Sequence, residues 1–176
     1  MKESFGEILR LYFKGLVPFL LTLFFILLNF IPTHLPLAHF FRPDVAMVCV
    51  YFWVLYRPDL FGLMSIIVLG IAVDTLSGLP FGVHLFVFLI AYLLTIIYGR
   101  YVYAKSFSIS WFGFVLVLAG SLVSKWLLLS IYYKTFLLFS HIILTFIVTI
   151  LIYPFIAYLN IVIQNKYLSF DGEIHE

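Results

Sequence analysis

From Gly15 to Asn160 the chain is a succession of apolar runs, at 15–31, roughly 37–56, 60–76, 82–98, 107–131 and 136–161, separated only by proline, glycine or charged punctuation. Runs of that length and continuity leave few folds open. A bilayer offers backbone amides and carbonyls no water, so a crossing segment satisfies them internally, as a helix or within a closed barrel. Barrel strands alternate apolar and polar side chains, and these runs do not. The predicted class is all-α, a polytopic integral membrane protein with about six transmembrane helices. A content of 65% hydrophobic and 10% charged residues, with a mean hydropathy of +1.18, lies far outside the soluble globular range.

Charge and cysteine content close off other classes. A formal net charge of +2, with no basic run interleaved with aromatics, offers nothing to nucleic acid. Cys49 is the single cysteine, so there is no intramolecular disulfide and no cysteine-based metal site.

Lys2, Arg10 and Lys14 precede the first run, but that run is long for a signal sequence and no small-x-small cleavage site follows it. It is expected to be a retained first helix. Before it, residues 1–14 read as a cytoplasmic amphipathic segment. Ser4 and Glu7 have capping-box spacing, and Phe5, Ile8, Leu9 and Tyr12 lie opposite Glu3, Glu7, Arg10 and Lys14. A helix lying on the membrane surface and a plain extension of the first span fit equally. Residues 15–163 then form one six-helix transmembrane domain and 164–176 a cytoplasmic tail.

The second run is the short one. It is bracketed by two Arg-Pro-Asp tripeptides, at 42–44 and 57–59, with twelve uncharged residues between them. Twelve residues make about 18 Å of helix against a hydrocarbon core of roughly 30 Å. The distribution of basic residues decides whether it crosses. If all six runs cross, Lys2, Arg10, Lys14, Arg57, Arg100, Lys105 and Lys166 fall on the inner side and only Arg42 and Lys134 on the outer, with Lys125 inside a span. If the second run turns back, the bias vanishes. Six spans with both termini cytoplasmic is therefore the expected topology. Each proline then starts a helix, each aspartate sits in a first turn where the helix dipole favours it, and Arg42 to Asp44 lies below the outer membrane surface, sheltered by protein.

The third run carries small and acidic residues at fourfold spacing: Gly62, Gly70, Asp74, Gly78 and Gly82, with Ile66 interrupting. Gly62, Ile66, Gly70 and Asp74 share one helix stripe, and small residues on a stripe let another helix approach closely. That interface is either internal or belongs to a partner protein. Asp74 is the one acidic residue within a long apolar run. An ionised carboxylate inside a membrane calls for a partner or a place near the surface. Pro80, between Gly78 and Gly82, predicts a tight outer turn just after it, where Asp74 caps the next helix or pairs with His84. Lys125, one and a half to two turns from the outer end of the fifth run, either snorkels to the headgroups or pairs with Asp74. Gly120, Ser121 and Ser124 on or near its face suit a face turned to protein.

No catalytic set stands out. Intramembrane proteolysis needs serine with histidine or two facing carboxylates, and metal-dependent hydrolysis needs three or more clustered ligands. His34, His39, His84, His141 and His175 are scattered along the chain, and His141 among Phe139, Ile142 and Ile143 reads as a packing residue. No catalytic residue, metal site or cofactor is expected.

A first span, then Arg42, Pro43 and Asp44 opening a short second one, then Gly70, Asp74, Ser77, Gly78, Pro80 and Gly82 closing a third, resembles the bacterial rod shape-determining MreD family. The resemblance covers about forty residues of the first half, with Val73 where many members carry glutamine. It implies a non-enzymatic subunit of the cell-elongation complex in the bacterial cytoplasmic (inner) membrane, acting in peptidoglycan synthesis and cell shape. It further implies association with the single-span protein MreC and, through it, with MreB, RodA and a penicillin-binding transpeptidase. It also implies the six-helix fold of the substrate-binding subunits of energy-coupling-factor transporters.

Two functions are open at this stage. One is a scaffold holding partner helices against glycine-lined faces. The other is a solute-binding or transport subunit with Asp74, His84, Lys125 and nearby tyrosines forming an outward-facing pocket. Transporters place ionisable groups near the midplane on several helices, whereas the candidates here crowd toward one end. Scaffold is the favoured expectation.

Overall fold

The computed structural model describes residues 5–31, 43–101, 107–136 and 138–168. They form six helices: α1 Phe5–Phe30, α2 Val45–Tyr56, α3 Leu63–Ser77, α4 Val83–Tyr101, α5 Phe107–Tyr133 and α6 Phe139–Leu168. Helices α4, α5 and α6 are long and apolar enough to cross a membrane, whereas Gly15–Phe30, α2 and α3 are shorter apolar helices.

The start of α2 is set by chemistry visible in the sequence. Pro43 disfavours helical backbone in the residue before it, and the Asp44 carboxylate accepts the Met47 amide at 3.1 Å as an N-cap. The helix therefore begins at Val45, not near position 37, and residues 37–42 lie outside the described residues. Of its twelve residues, Val45 through Val54 are all buried. A helix apolar on every side needs cover on every side, and α2 packs against α1, α4, α5 and α6. The short run is thus the centre of the bundle, wrapped by protein.

Its length has a geometric consequence. At about 1.5 Å per residue α2 spans roughly 18 Å and the 27-residue α5 roughly 40 Å. At least one end of α2 stops well short of the ends of its neighbour.

The turns follow the punctuation. Gly78 closes α3 in the left-handed conformation, at φ 65°, and Gly82 has φ 98°, so the five-residue turn with Pro80 at its centre rests on two residues that lack a Cβ. At the opposite end of α3, Gly62 is the N-cap. Asp59 lies in the connection before it, not in the first helical turn, and its carboxylate is bound to Arg57 at 3.1 Å.

At the two ends of the chain, one open alternative is decided and one boundary differs from the sequence expectation. Residues 5–14 continue directly into α1, so they lie on the first helix and not on a separate one. Helix α6 runs to Leu168, past position 161, because Gln164, Asn165 and Lys166 follow the apolar run without a glycine or proline to stop it.

Candidate functional site: a buried aspartate, histidine and lysine

The α3–α4 turn bends back over Asp74, whose side chain is fully buried. One carboxylate oxygen accepts the His84 backbone amide at 2.8 Å and His84 Nδ1 at 2.9 Å. The other accepts the Gly82 amide at 2.8 Å and, more loosely, the Leu85 amide at 3.4 Å. An ionised carboxylate offers about four lone-pair sites, all acceptors, so this one is saturated by its own fold. Three of the four donors are backbone amides at the start of α4, where the helix dipole favours a negative charge.

His84 is 5% exposed and continues the chain of contacts. Its Nε2 lies 2.9 Å from Lys125 Nζ. With Nδ1–H donating to Asp74, Nε2 carries the free lone pair and accepts from the lysine ammonium; a second ring proton would face another donor. The consistent arrangement is carboxylate, neutral imidazole, ammonium, with no net charge left inside. Lys125 thus meets Asp74 through His84 rather than directly.

Beside this triad lies a cavity of about 310 Å³ whose walls include Asn29, Asp44, Ser77, His84, Lys125 and Thr145. The α2 start is tied into it. Asn29 Nδ2 donates to the Pro43 carbonyl at 3.1 Å, the Asp44 amide donates to Thr149 Oγ1 at 2.9 Å, and Thr149 donates in turn to the Thr145 carbonyl. These bonds tie α1 and α6 to the point where α2 begins.

The remaining sequence candidates separate cleanly. Gly70 belongs to the α3–α4 contact: a Cβ there would stand 2.6 Å from Leu85 Cα, nearer than two carbons can pack. A Cβ on Gly62 would meet nothing within 4 Å. The glycine stripe is thus internal at Gly70 and open at Gly62. Gly120 packs against Leu94 of α4, consistent with a protein-facing side of α5. Arg42 lies outside the described residues.

A second polar cluster went unread in the sequence. Tyr51 Oη donates to the Ser110 carbonyl at 2.8 Å, Ser110 Oγ and Tyr153 Oη lie 3.0 Å apart, and the rings of Phe114 and Tyr153 stack at 4.3 Å. Gly113 makes room for it, since a Cβ there would run into the Tyr98 ring and lie 2.6 Å from the Tyr51 hydroxyl. Tyrosines are frequent throughout this chain, and only the fold brings positions 51, 98, 110 and 153 together. Among the described residues no group of three or more histidine, cysteine, aspartate or glutamate side chains is placed to hold a metal ion.

Comparison with curated proteins and with solved structures returns no match. The family model for the rod shape-determining protein MreD matches residues 9–162, which takes in α2 to α5, most of α1 and α6, and the whole Asp74–His84–Lys125 site. With three helices fit to cross a membrane and that match over most of its length, the chain belongs to the MreD family of membrane proteins and its role lies in the rod-shape determining system.

Proposed function

We propose that the protein is a non-catalytic scaffold of the bacterial cell-elongation complex. It sits in the cytoplasmic membrane with both termini inside and holds the membrane helix of an MreC-like single-span partner. Through that partner it connects to MreB, RodA and a penicillin-binding transpeptidase, and so to peptidoglycan synthesis.

The observation that carries this reading is the saturation of Asp74. A transport subunit needs intramembrane ionisable groups free to exchange partners with a solute, ion or proton. Here every acceptor site of the buried carboxylate is held by Gly82, His84 or Leu85. The charge serves to lock α3, α4 and α5 together, which is what a rigid platform requires.

For the docking surface, Gly70 is ruled out by its contact with α4. The surface we assign to the partner is a groove of about 700 Å³ between α1 and α3, with Gly15, Leu16, Phe19, Leu60, Met64 and Val68 on its walls. Met64 is 76% exposed there, and Gly15 keeps the wall low enough for a helix backbone to approach. Co-purification of the full-length chain with an MreC-like protein tests the assignment. Gly15→Leu should abolish recovery of the partner, while Ile131→Ala, at an exposed site near the end of α5, should leave it unchanged. Full recovery with Gly15→Leu would remove the groove from the proposal, and loss of rod-shape complementation without loss of partner would argue against scaffolding.

A further inference from the structure

Two cavities meet at Lys125 and Thr145. The first is the polar one beside the triad, of about 310 Å³. The second, of about 380 Å³, lies between α5 and α6 and is walled by Leu122, Trp126, Leu129, Leu138 and Ile142. Leu138, at 75% exposed, marks its open rim. A polar chamber beside an apolar slot, with Lys125 and Thr145 on the walls of both, is the shape of a site for an amphiphile.

The charges narrow the choice of headgroup. A lysine ammonium has three donors. One is engaged by His84 Nε2, and among the described residues the other two have no acceptor. Asp44 uses one carboxylate oxygen on the Met47 amide, and the second oxygen has no donor among the described residues. A simple anion would bind Lys125 against the repulsion of Asp44. A simple cation would bind Asp44 against the repulsion of Lys125. A headgroup carrying a phosphate and a primary ammonium satisfies both at once, through charge-assisted hydrogen bonds at each end.

We propose that the adjoining cavities bind a phospholipid with a primary-amine headgroup, its phosphate on Lys125, its ammonium on Asp44 and one acyl chain in the slot between α5 and α6. Asn29, Pro43 and Asp44 set the start of α2 on the wall of the polar chamber, where the headgroup would sit. The bound lipid would fill a junction to which all six helices contribute a wall.

Native mass spectrometry tests this on the full-length protein released from nanodiscs of equal phosphatidylethanolamine and phosphatidylglycerol. Wild type should retain phosphatidylethanolamine by about tenfold over phosphatidylglycerol, the scale of one charge-assisted contact. Lys125→Met should lose retention of both lipids, and Asp44→Asn should erase the preference between them. Because Lys125→Met also disturbs His84, Leu129→Trp provides an independent check. It fills the slot without touching the triad, and should expel the lipid while leaving the thermal midpoint in lipid-free detergent unchanged. Glycerophosphoethanolamine, which has the headgroup but no chains, should fail to compete. Equal retention of the two lipids by wild type, undiminished retention by Leu129→Trp, or competition by the chainless headgroup would each overturn the proposal.

Discussion

Asp74 and Asp59 sit at opposite ends of α3 and differ in everything but their chemistry. Asp74 is buried beneath the α3–α4 turn, with four donors around its oxygens and a histidine linking it to Lys125. Asp59 is 58% exposed and is held by Arg57, two residues away in the same turn. One joins three helices and the other joins nothing but its own loop. The worth of a charge in this bundle is thus set by what must be rebuilt when it is removed, and substitutions at the two ends should differ accordingly.

Asp74→Asn should have the largest effect of any isosteric change. The amide nitrogen cannot accept, so at least one oxygen's donors lose their acceptor, and Lys125 loses the charge that balances it. Breaking a buried, hydrogen-bonded charge typically costs about 3–5 kcal/mol. The expected result is little folded protein in detergent and a much lower thermal midpoint. A midpoint near that of wild type would mean that the carboxylate is not the anchor of the turn.

Next in size should be Gly70→Ala. The new Cβ meets Leu85 backbone, which has no rotamer to yield, so α3 and α4 must separate. Overpacking of a filled contact costs about 1–3 kcal/mol. Gly62→Ala, eight residues earlier on the same stripe, should lower the midpoint far less in the same thermal assay, because open space surrounds it and only alanine's weaker fit to the N-cap position is felt.

The linkage through His84 is tested by a double-mutant cycle. Asp74→Asn and Lys125→Met should be non-additive by about 0.5–3 kcal/mol if the imidazole couples them. In a His84→Phe background that coupling should vanish. Coupling that persists without the imidazole would mean that lysine and aspartate interact directly.

How much of this was legible beforehand follows from the range of the forces involved. The helices, and those ends marked by local punctuation, were readable because they rest on neighbours in sequence: the uncharged run between the Arg-Pro-Asp tripeptides, the glycines around Pro80, and Asp44 before Val45; the end of α6 and the place of Asp59, which no such mark fixes, were not. The pairing of Asp74 with the start of α4 was readable for the same reason, since a tight turn leaves the carboxylate few places to go. The role of His84 as the link to Lys125 was not. Positions 84 and 125 lie on different helices, and nothing in the spacing fixes the rotation of α5 against α4. The tyrosine cluster over Gly113 was hidden for a related reason, being assembled from α2, α4, α5 and α6. The two tripeptides also turned out unlike: the first aspartate caps a helix, while the second pairs with its own arginine.

That contrast yields the smallest predicted effects. Asp44→Ala removes an N-cap acceptor, which typically costs about 1 kcal/mol, through the loss of one hydrogen bond to a single amide. Asp59→Ala removes a partner from an exposed pair, and such pairs contribute about 0–1 kcal/mol with strong screening by salt. The thermal midpoint should therefore fall modestly for Asp44→Ala at any ionic strength. It should barely move for Asp59→Ala, with any difference from wild type disappearing at high salt. A loss at Asp59 as large as that at Asp44 and insensitive to salt would show that the second tripeptide anchors the α2–α3 connection as firmly as the first anchors the start of α2. The asymmetry between the two ends of the bundle would then be one of degree only.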